Sequence, residues 1–126
     1  MERIVSTPEV GGTDGTWAQA VRCGGLLFLS GQIGCDSLGN AAGPDFASQA
    51  RRALDNLMSM LHTGGAKPER LASITVFVTD MANRPQFAQI RREYFSDNPP
   101  ASTIVEVNAL CSPELLIEIN GVAVLD

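Results

Sequence analysis

The chain has 126 residues and a mass of 13.4 kDa, the size of one domain with one hydrophobic core. With 44% hydrophobic and 18% charged residues, the composition is globular and excludes a disordered acidic chain. Nine Lys and Arg against 14 Asp and Glu give a net charge of −5, which disfavours nucleic acid as a partner because phosphates attract basic surfaces.

Neither a membrane span nor an export signal is expected. The longest apolar run, Leu26–Leu29, is far shorter than the ~20 residues that cross a bilayer. No charged-then-apolar leader precedes Pro8. Three cysteines, Cys23, Cys35 and Cys111, cannot all pair and form no C-x-x-C motif, which favours a reducing compartment with the thiols as small hydrophobic groups. We therefore expect a cytoplasmic protein.

The only histidine, His62, limits the possible mechanisms. A multi-histidine metal site cannot be built from it, and a Ser-His-Asp site would have to be centred on it. It lies just before Thr63-Gly64-Gly65, where a helix is expected to end and an imidazole interacts favourably with the helix dipole. We expect a structural histidine and no metal.

The first predicted elements are two short strands joined by a turn. The stretch Gly11–Gly15 is turn-rich but lacks the glycine spacing of a phosphate-binding loop. The runs 17–21 and 26–30 flank Gly24-Gly25, a pair typical of a β-hairpin. Residues 31–43 contain four glycines and are predicted to be a loop.

A long amphipathic helix is predicted next, beginning at Pro44, whose fixed φ suits a first turn, and ending at Gly64. Apolar side chains recur at spacings of three and four and form one stripe, made of Phe46, Ala50, Ala53, Leu57, Met60 and Leu61. The side chains expected to point away from this stripe are Arg51, Arg52, Asp55 and Asn56.

The remaining elements are a strand, a helix and two strands. Residues 71–79 are rich in β-branched side chains and predict a buried strand. Asn83 is a candidate cap for a second helix, which Pro99-Pro100 prevents from continuing. Strands are predicted at 102–109 and 115–125, and no linker interrupts the pattern, so residues 1–126 are expected to form a single domain.

Two helices can cover only one face of a sheet of five or six strands. Alternation in the last strand assigns Leu115, Ile117, Ile119 and Leu125 to the helix side. The opposite side receives Leu116, Glu118, Asn120, Val122 and Val124. So much exposed Leu and Val would form a large apolar patch, and we therefore expect another subunit to cover it.

Two glutamates in the middle of predicted strands are candidates for chemistry. Glu118 lies between apolar neighbours, where poor solvation raises a carboxyl pKa and suits proton transfer near neutral pH. The alternative is a carboxylate paired to an arginine or a backbone N–H of a neighbouring strand. Glu106 poses the same question, and for it the structural interpretation is favoured.

Ser30-Gly31-Gln32 and Trp17 are weaker candidates for a binding site. Glycine at the end of a strand lets a ligand approach the backbone closely, although many strand-to-loop junctions share this pattern. Trp17, the only tryptophan, either lines a pocket or fills the core, and the core is favoured.

Several segments, in a fixed order along nearly the whole chain, carry a resemblance. They are Thr16–Val21, Gly25, Ser30–Ile33, Asp36, Gly39, Gln49–Leu57, Thr75–Met81, Pro100–Val107 and Leu116–Ile119. Together they resemble the RidA/YjgF (reactive intermediate deaminase) family, also labelled endoribonuclease L-PSP.

The resemblance implies a chorismate-mutase-like α+β fold, with a mixed β-sheet and two helices on one face. It also implies a homotrimer that binds a small molecule in clefts between subunits, and it implies no cofactor and no metal. Members with an assigned activity hydrolyse reactive imines or enamines, made by pyridoxal-phosphate enzymes, to a ketone and ammonia. Some relatives carry older labels as ribonucleases or inhibitors of translation.

Part of the family's site is preserved in this chain. Glu118 matches the glutamate thought to position the attacking water and is the candidate catalytic residue. Ser30, Gly31 and Gln32 are also retained and are the candidate ligand contacts.

Three ligand-binding positions depart from the family pattern. Ser102 stands where active deaminases have an arginine that clamps the substrate carboxylate, and serine replaces neither its charge nor its planar fork of donors. Trp17 replaces a tyrosine, and Ala88 replaces an asparagine of the second helix. We therefore expect weak hydrolysis of carboxylate-bearing imino acids, restored by Ser102→Arg.

Two functions fit this pattern. The chain is either a hydrolase of imines, enamines or related C–N substrates that are not anchored through a carboxylate-binding arginine, or a ligand-binding or regulatory trimer without turnover. The hydrolase is favoured because an ionisable group inside a strand is costly to keep without a use. RNA cleavage is disfavoured by the acidic charge balance.

Overall fold

The computed structural model describes all residues, 1–126, as six strands and two helices. In chain order they are β1 (Glu2–Ile4), β2 (Ala20–Cys23), β3 (Leu26–Ile33), α1 (Phe46–Gly64), β4 (Leu71–Val78), α2 (Arg84–Tyr94), β5 (Ala101–Glu106) and β6 (Ile117–Val124). Short 3₁₀ turns, Pro68–Arg70 and Met81–Asn83, precede β4 and α2.

The strands form one sheet in the order β1-β2-β3-β6-β4-β5. Only β4 and β5 run parallel, because α2 connects them as a crossover; every other neighbouring pair is antiparallel. The result is the predicted α+β architecture, a mixed sheet with two helices.

Both ends of α1 differ by a residue or two from the prediction. Asp45, not Pro44, is the N-cap, and its carboxylate accepts a hydrogen bond from the Ser48 N–H (2.9 Å). Gly65 in the left-handed conformation (φ 86°) ends the helix. Gly64 is the last helical residue, and a Cβ there would lie 2.5 Å from Leu27 Cδ2, so its glycine permits the helix to approach the sheet.

The predicted apolar stripe of α1 is confirmed, since all six of its side chains are buried in a cluster of 22 residues between helices and sheet. The expectation that Asn56 points away is wrong. Asn56 is only 3% exposed, and its Nδ2 donates to the carbonyl oxygens of Ile33 (3.0 Å) and Cys35 (2.8 Å). These carbonyls, at and just after the end of β3, also accept the Cys35 N–H and the Arg52 Nε–H, respectively. A buried amide supplies each of them with a second donor, which an apolar side chain would not.

The strands differ most from prediction near the N-terminus. Gly31–Ile33, predicted to be loop, continue β3 after a bulge between Leu29 and Gln32. β1 was not predicted, because three residues at the sheet edge carry no alternation that can be read from sequence. β2 begins at Ala20 rather than residue 17, while β5 and β6 are shorter than predicted.

The two faces of the sheet are unequal, as the alternation in β6 predicts. Ile117, Ile119 and Ala123 are fully buried on the helix side. The intervening residues of β6 are only half-buried, and on the same open face Phe28 is 44% exposed. No element of this chain covers that face. Neither helix has the length and apolar character needed to cross a bilayer.

Candidate functional site

A cavity of about 470 Å³ opens beside the β3 bulge. It is enclosed by the segments 10–12 and 35–39, the loop before β2, the bulge and β6. The structure brings four of the predicted site residues together on its walls, namely Trp17, Gly31, Gln32 and Glu118. These four positions, which are distant in the sequence, therefore line one concave surface.

Glu118 provides the carboxylate of this cavity. It lies in β6 on the open face, opposite Ile33 of β3 and Phe77 of β4. Its side chain is half-buried and makes no hydrogen bond and no ion pair within the chain, so the alternative of a paired structural carboxylate is not what the structure shows. Burial alone raises the pKa of the Glu118 carboxyl above its ordinary value.

Gly31 makes room for that carboxylate. A Cβ on Gly31 would lie 2.7 Å from the Glu118 carboxyl carbon, so any side chain at position 31 would displace it. The β-bulge at this point also interrupts the β3–β6 ladder between Leu29 and Gln32. The backbone of Gly31 and the carboxylate of Glu118 therefore both face the cavity.

Gln32 and Ser30 hold the cavity wall in place. Gln32 is buried, and its Nε2 donates to Gln19 Oε1 (2.9 Å) and to the Ser30 carbonyl (3.2 Å). Gln19 Nε2 in turn donates to the Gly11 carbonyl (3.1 Å). The Ser30 hydroxyl donates to the Ala18 carbonyl (2.6 Å) and does not line the cavity, so its observed role is to support the wall.

Trp17 lines the cavity and is 47% exposed, so the favoured core interpretation is wrong. The physical reason is its position in the loop before Ala20, where β2 begins, so that its side chain has no place in the alternation of a strand. An exposed indole beside a carboxylate offers a flat apolar surface to a ligand.

Three further residues on the cavity wall were not predicted to belong to a site: Asn56, Cys35 and Cys111. Asn56 Oδ1 is buried with no hydrogen-bond partner. Burial, together with the nearby Cys111 thiol, raises the pKa of the Cys35 thiol. No local sequence signal marks any of them, because the fold alone brings α1 and the 107–116 loop to β3.

Ala88 and Ser102, the other two predicted ligand-binding residues, lie elsewhere. They line a separate groove of about 370 Å³ between α2 and the start of β5. Ser102 is opposite Ile74, which is buried under the helices, whereas Glu118 is opposite Phe77, three residues along β4. Since side chains alternate along a strand, Ser102 and Glu118 belong to opposite faces of the sheet.

Glu106 has a structural role, as favoured from the sequence. Its Oε1 accepts a hydrogen bond from the Met81 N–H (2.9 Å) at the start of the 3₁₀ turn before α2. Nowhere do three His, Cys, Asp or Glu side chains come together in an arrangement that would hold a metal ion.

Fold and site together define a small α+β protein with a single unpaired carboxylate in a ligand-sized cavity. The sequence model of the Endoribonuclease L-PSP family matches residues 11–125, and the chain belongs to this family, also known as the RidA/YjgF family. A human protein named 2-iminobutanoate/2-iminopropanoate deaminase is 32% identical over 125 residues, covering 98% of this chain and 90% of that one. A RutC family protein of Pyrococcus horikoshii is 31% identical over 124 residues, 98% of both chains.

Solved structures agree with this assignment. A Thermotoga maritima protein described as a candidate endoribonuclease superposes with a TM-score of 0.92 at 32% identity, covering 100% of this chain and 99% of the other. The Escherichia coli YjgF gene product gives a TM-score of 0.88 at 29% identity over 98% of both chains. The predicted fold class is therefore confirmed.

Proposed function

We propose that this protein is a hydrolase of reactive imines or enamines, with Glu118 as the group that handles the attacking water. The observation that carries the proposal is the half-buried Glu118 carboxylate, which has no partner in the chain and lines the cavity of about 470 Å³. A carboxyl with a raised pKa exchanges protons more readily near neutral pH than an ordinary glutamate does. The name of the human relative, an imine deaminase, supports the same reaction class.

The proposed reaction converts an iminium ion and water into a ketone and an ammonium ion. The water oxygen bonds to the imine carbon while the Glu118 carboxylate accepts one of its protons and the C=N electron pair moves to nitrogen. The protonated Glu118 then delivers that proton to the amine nitrogen of the carbinolamine. The C–N bond breaks, the C=O bond forms, and the hydroxyl proton leaves with the ammonia, so Glu118 ends ionised as it began.

We further propose that the working protein is a homotrimer with the site between subunits. The open face of the sheet carries exposed apolar groups, including Phe28 (44%) and Val105 (37%), which is unusual for a surface left in water. Glu118 and Ser102 lie on opposite faces of one sheet, so only a second copy brings the Ser102 groove to the Glu118 cavity.

The test is Glu118→Gln, assayed by ammonia release from imino acids made in situ by an amino acid oxidase. Because the amide keeps the shape but cannot accept the proton, we expect turnover above background to fall by about 10²–10⁴-fold, with assembly unchanged and no decrease in melting temperature. Glu106→Gln is the matched control, since an amide oxygen still accepts the Met81 N–H. Equal activity of wild type and Glu118→Gln would refute the proposal.

The alternative is a ligand-binding trimer without turnover. The observation that favours it is the absence of a functional side chain at Ala88 and of a cation at position 102 itself. In that case a ligand would protect the protein against thermal unfolding while no substrate yields ammonia above background, with or without Glu118→Gln.

A further inference from the structure

Arg91 is a cation without an anionic partner. Its Nη1 donates to the neutral Ser102 hydroxyl (3.0 Å), and no carboxylate lies within ion-pair distance. The guanidinium carbon also lies 5.6 Å from the centre of the Phe87 ring, one turn earlier in α2. Two contacts on different elements therefore hold this half-buried side chain in position, while most of its donors remain free.

The surroundings of Arg91 form a cationic groove. Arg91, Arg92, Ala88, Pro100 and Ser102 line a concavity of about 370 Å³, and no acidic residue lines it. In a chain of net charge −5, two guanidinium groups on one concave surface make a local site of positive potential. A guanidinium with its planar fork of donors matches a carboxylate or a phosphate.

The position of the groove on α2 favours a carboxylate over a phosphate. Arg91 and Arg92 lie in the last turn of the helix, where the free carbonyl groups carry a partial negative charge. A singly charged carboxylate is repelled less by that end of a helix than a phosphate dianion is. The small side chain of Ala88 leaves space for the rest of a compact ligand.

We propose that Arg91, positioned by Ser102, binds the carboxylate of an imino acid substrate and of the 2-oxo acid formed from it. This inference rests on the proposed function, because it adds the substrate class to the same hydrolase. It reverses the sequence-based expectation of a substrate that no arginine anchors. The guanidinium reaches position 102 from the neighbouring helix instead of from the strand.

The inference is tested by direct binding, without turnover. Calorimetric titration with pyruvate, a 2-oxo acid, is compared for wild type, Arg91→Gln and the control Arg84→Gln. Arg84 is an exposed residue of the same helix outside the groove, so the control removes the same charge. Loss of a charge-assisted hydrogen bond predicts about 10- to 100-fold weaker pyruvate binding by Arg91→Gln only. Pyruvamide, which has no charge, is expected to bind both variants alike.

A second variant moves the guanidinium rather than deleting it. In the Arg91→Gln background, Ser102→Arg is expected to restore pyruvate binding, because it returns a fork of donors to the same groove. Unchanged pyruvate binding by Arg91→Gln, equal losses for pyruvate and pyruvamide, or no binding of pyruvate by the folded wild type would each overturn the inference. Arg91-dependent binding of inorganic phosphate without binding of pyruvate would also overturn it.

Failure of this inference can be distinguished from failure of the proposed function. If Glu118→Gln leaves ammonia release unchanged while Arg91→Gln weakens pyruvate binding, the hydrolase assignment to Glu118 fails and the carboxylate site stands. If Glu118→Gln abolishes turnover while Arg91→Gln changes neither KM nor pyruvate affinity, the anchor fails and the hydrolase stands. Arg91→Lys, which keeps the charge but loses the fork, is expected to be intermediate.

Discussion

Gly31 and Glu118 are packed so closely that a Cβ on the glycine would lie 2.7 Å from the glutamate's carboxyl carbon. The two residues come from neighbouring antiparallel strands, β3 and β6, at the point where the β-bulge interrupts their hydrogen bonding. The backbone of Gly31 and the unpaired Glu118 carboxylate therefore line the same wall of the cavity. The carboxylate fits in this position because residue 31 has no side chain.

Gly31→Ala is expected to lower turnover by displacing Glu118. A shift of about 1 Å in a catalytic group costs on the order of 10²-fold in rate, and overpacking costs about 1–3 kcal/mol of stability. Ammonia release and urea unfolding measure the two effects. Because both substitutions act on one carboxylate, Gly31→Ala combined with Glu118→Gln is expected to be no slower than Glu118→Gln alone. Additive losses would place the role of Gly31 elsewhere.

The pH dependence of the free energy of unfolding is expected to reflect the raised pKa of Glu118. Burial raises the pKa of this carboxyl above its ordinary value of 4.5, so the folded state holds the proton at pH values where the unfolded chain has lost it. The resulting stabilisation is present below pH 4.5 and is lost as the pH rises through the folded-state pKa. Glu118→Gln cannot ionise at this position and does not lose stability in this way. The free energy of unfolding of the variant, relative to wild type, is therefore expected to increase from pH 4.5 up to the folded-state pKa of Glu118 and then level off.

Activity is expected to depend on the same ionisation in the opposite sense. The carboxylate is the form that accepts a proton from water, so kcat/KM is expected to rise with pH through the raised pKa of Glu118 and reach a plateau. A profile of kcat/KM from pH 4 to 8 measures this, after subtraction of spontaneous imine hydrolysis. A flat profile across that range would assign proton acceptance to another group.

The assembly is expected to be a trimer of about three times 13.4 kDa by light scattering. Phe28→Glu places a charge on the open sheet face beside Val122, and burial of an unpaired charge is expected to shift the protein to monomers. Val5→Glu is the control, because Val5 is 50% exposed and lies outside the strands. A stable wild-type monomer at micromolar concentration would contradict the trimer.

Gln49 is expected to be one of the most sensitive positions for stability. It is fully buried in α1, where its Nε2 donates to the carbonyls of Gly43 (2.9 Å) and Glu114 (2.8 Å) and its Oε1 accepts from the Leu116 N–H (2.8 Å). Gln49→Leu leaves three backbone groups without partners and is expected to cost about 3 kcal/mol or more in urea unfolding. The same change at exposed Gln86 of α2 is expected to cost less than about 0.5 kcal/mol.

Elements with a strong local pattern were predictable from the sequence. The apolar stripe of α1 recurs with the helical period, so its burial follows from geometry that every α-helix shares. The alternation in β6 likewise separates Ile117 and Ile119 from Glu118, whatever strands lie beside them. These patterns are enough to predict the two layers, the open face of the sheet and the face on which Glu118 lies.

Contacts between distant segments could not be predicted in the same way, because they depend on how the whole chain folds. Nothing local distinguishes Gly31–Ile33 from a loop, because their strand conformation depends on pairing with Ile119 and Glu118. The burial of Asn56 depends on the carbonyls of Ile33 and Cys35, which the fold places next to α1 within reach of its side chain.

The candidate site shows the same division. The residue types that could form a site can be read from the sequence. Whether Glu118 has a hydrogen-bond or ion-pair partner depends on which side chains the fold brings near it. The position of Arg91 beside Ser102 likewise depends on how α2 returns to β5. Hydrogen bonds and ion pairs act over a few ångströms in space, and sequence separation does not report that distance.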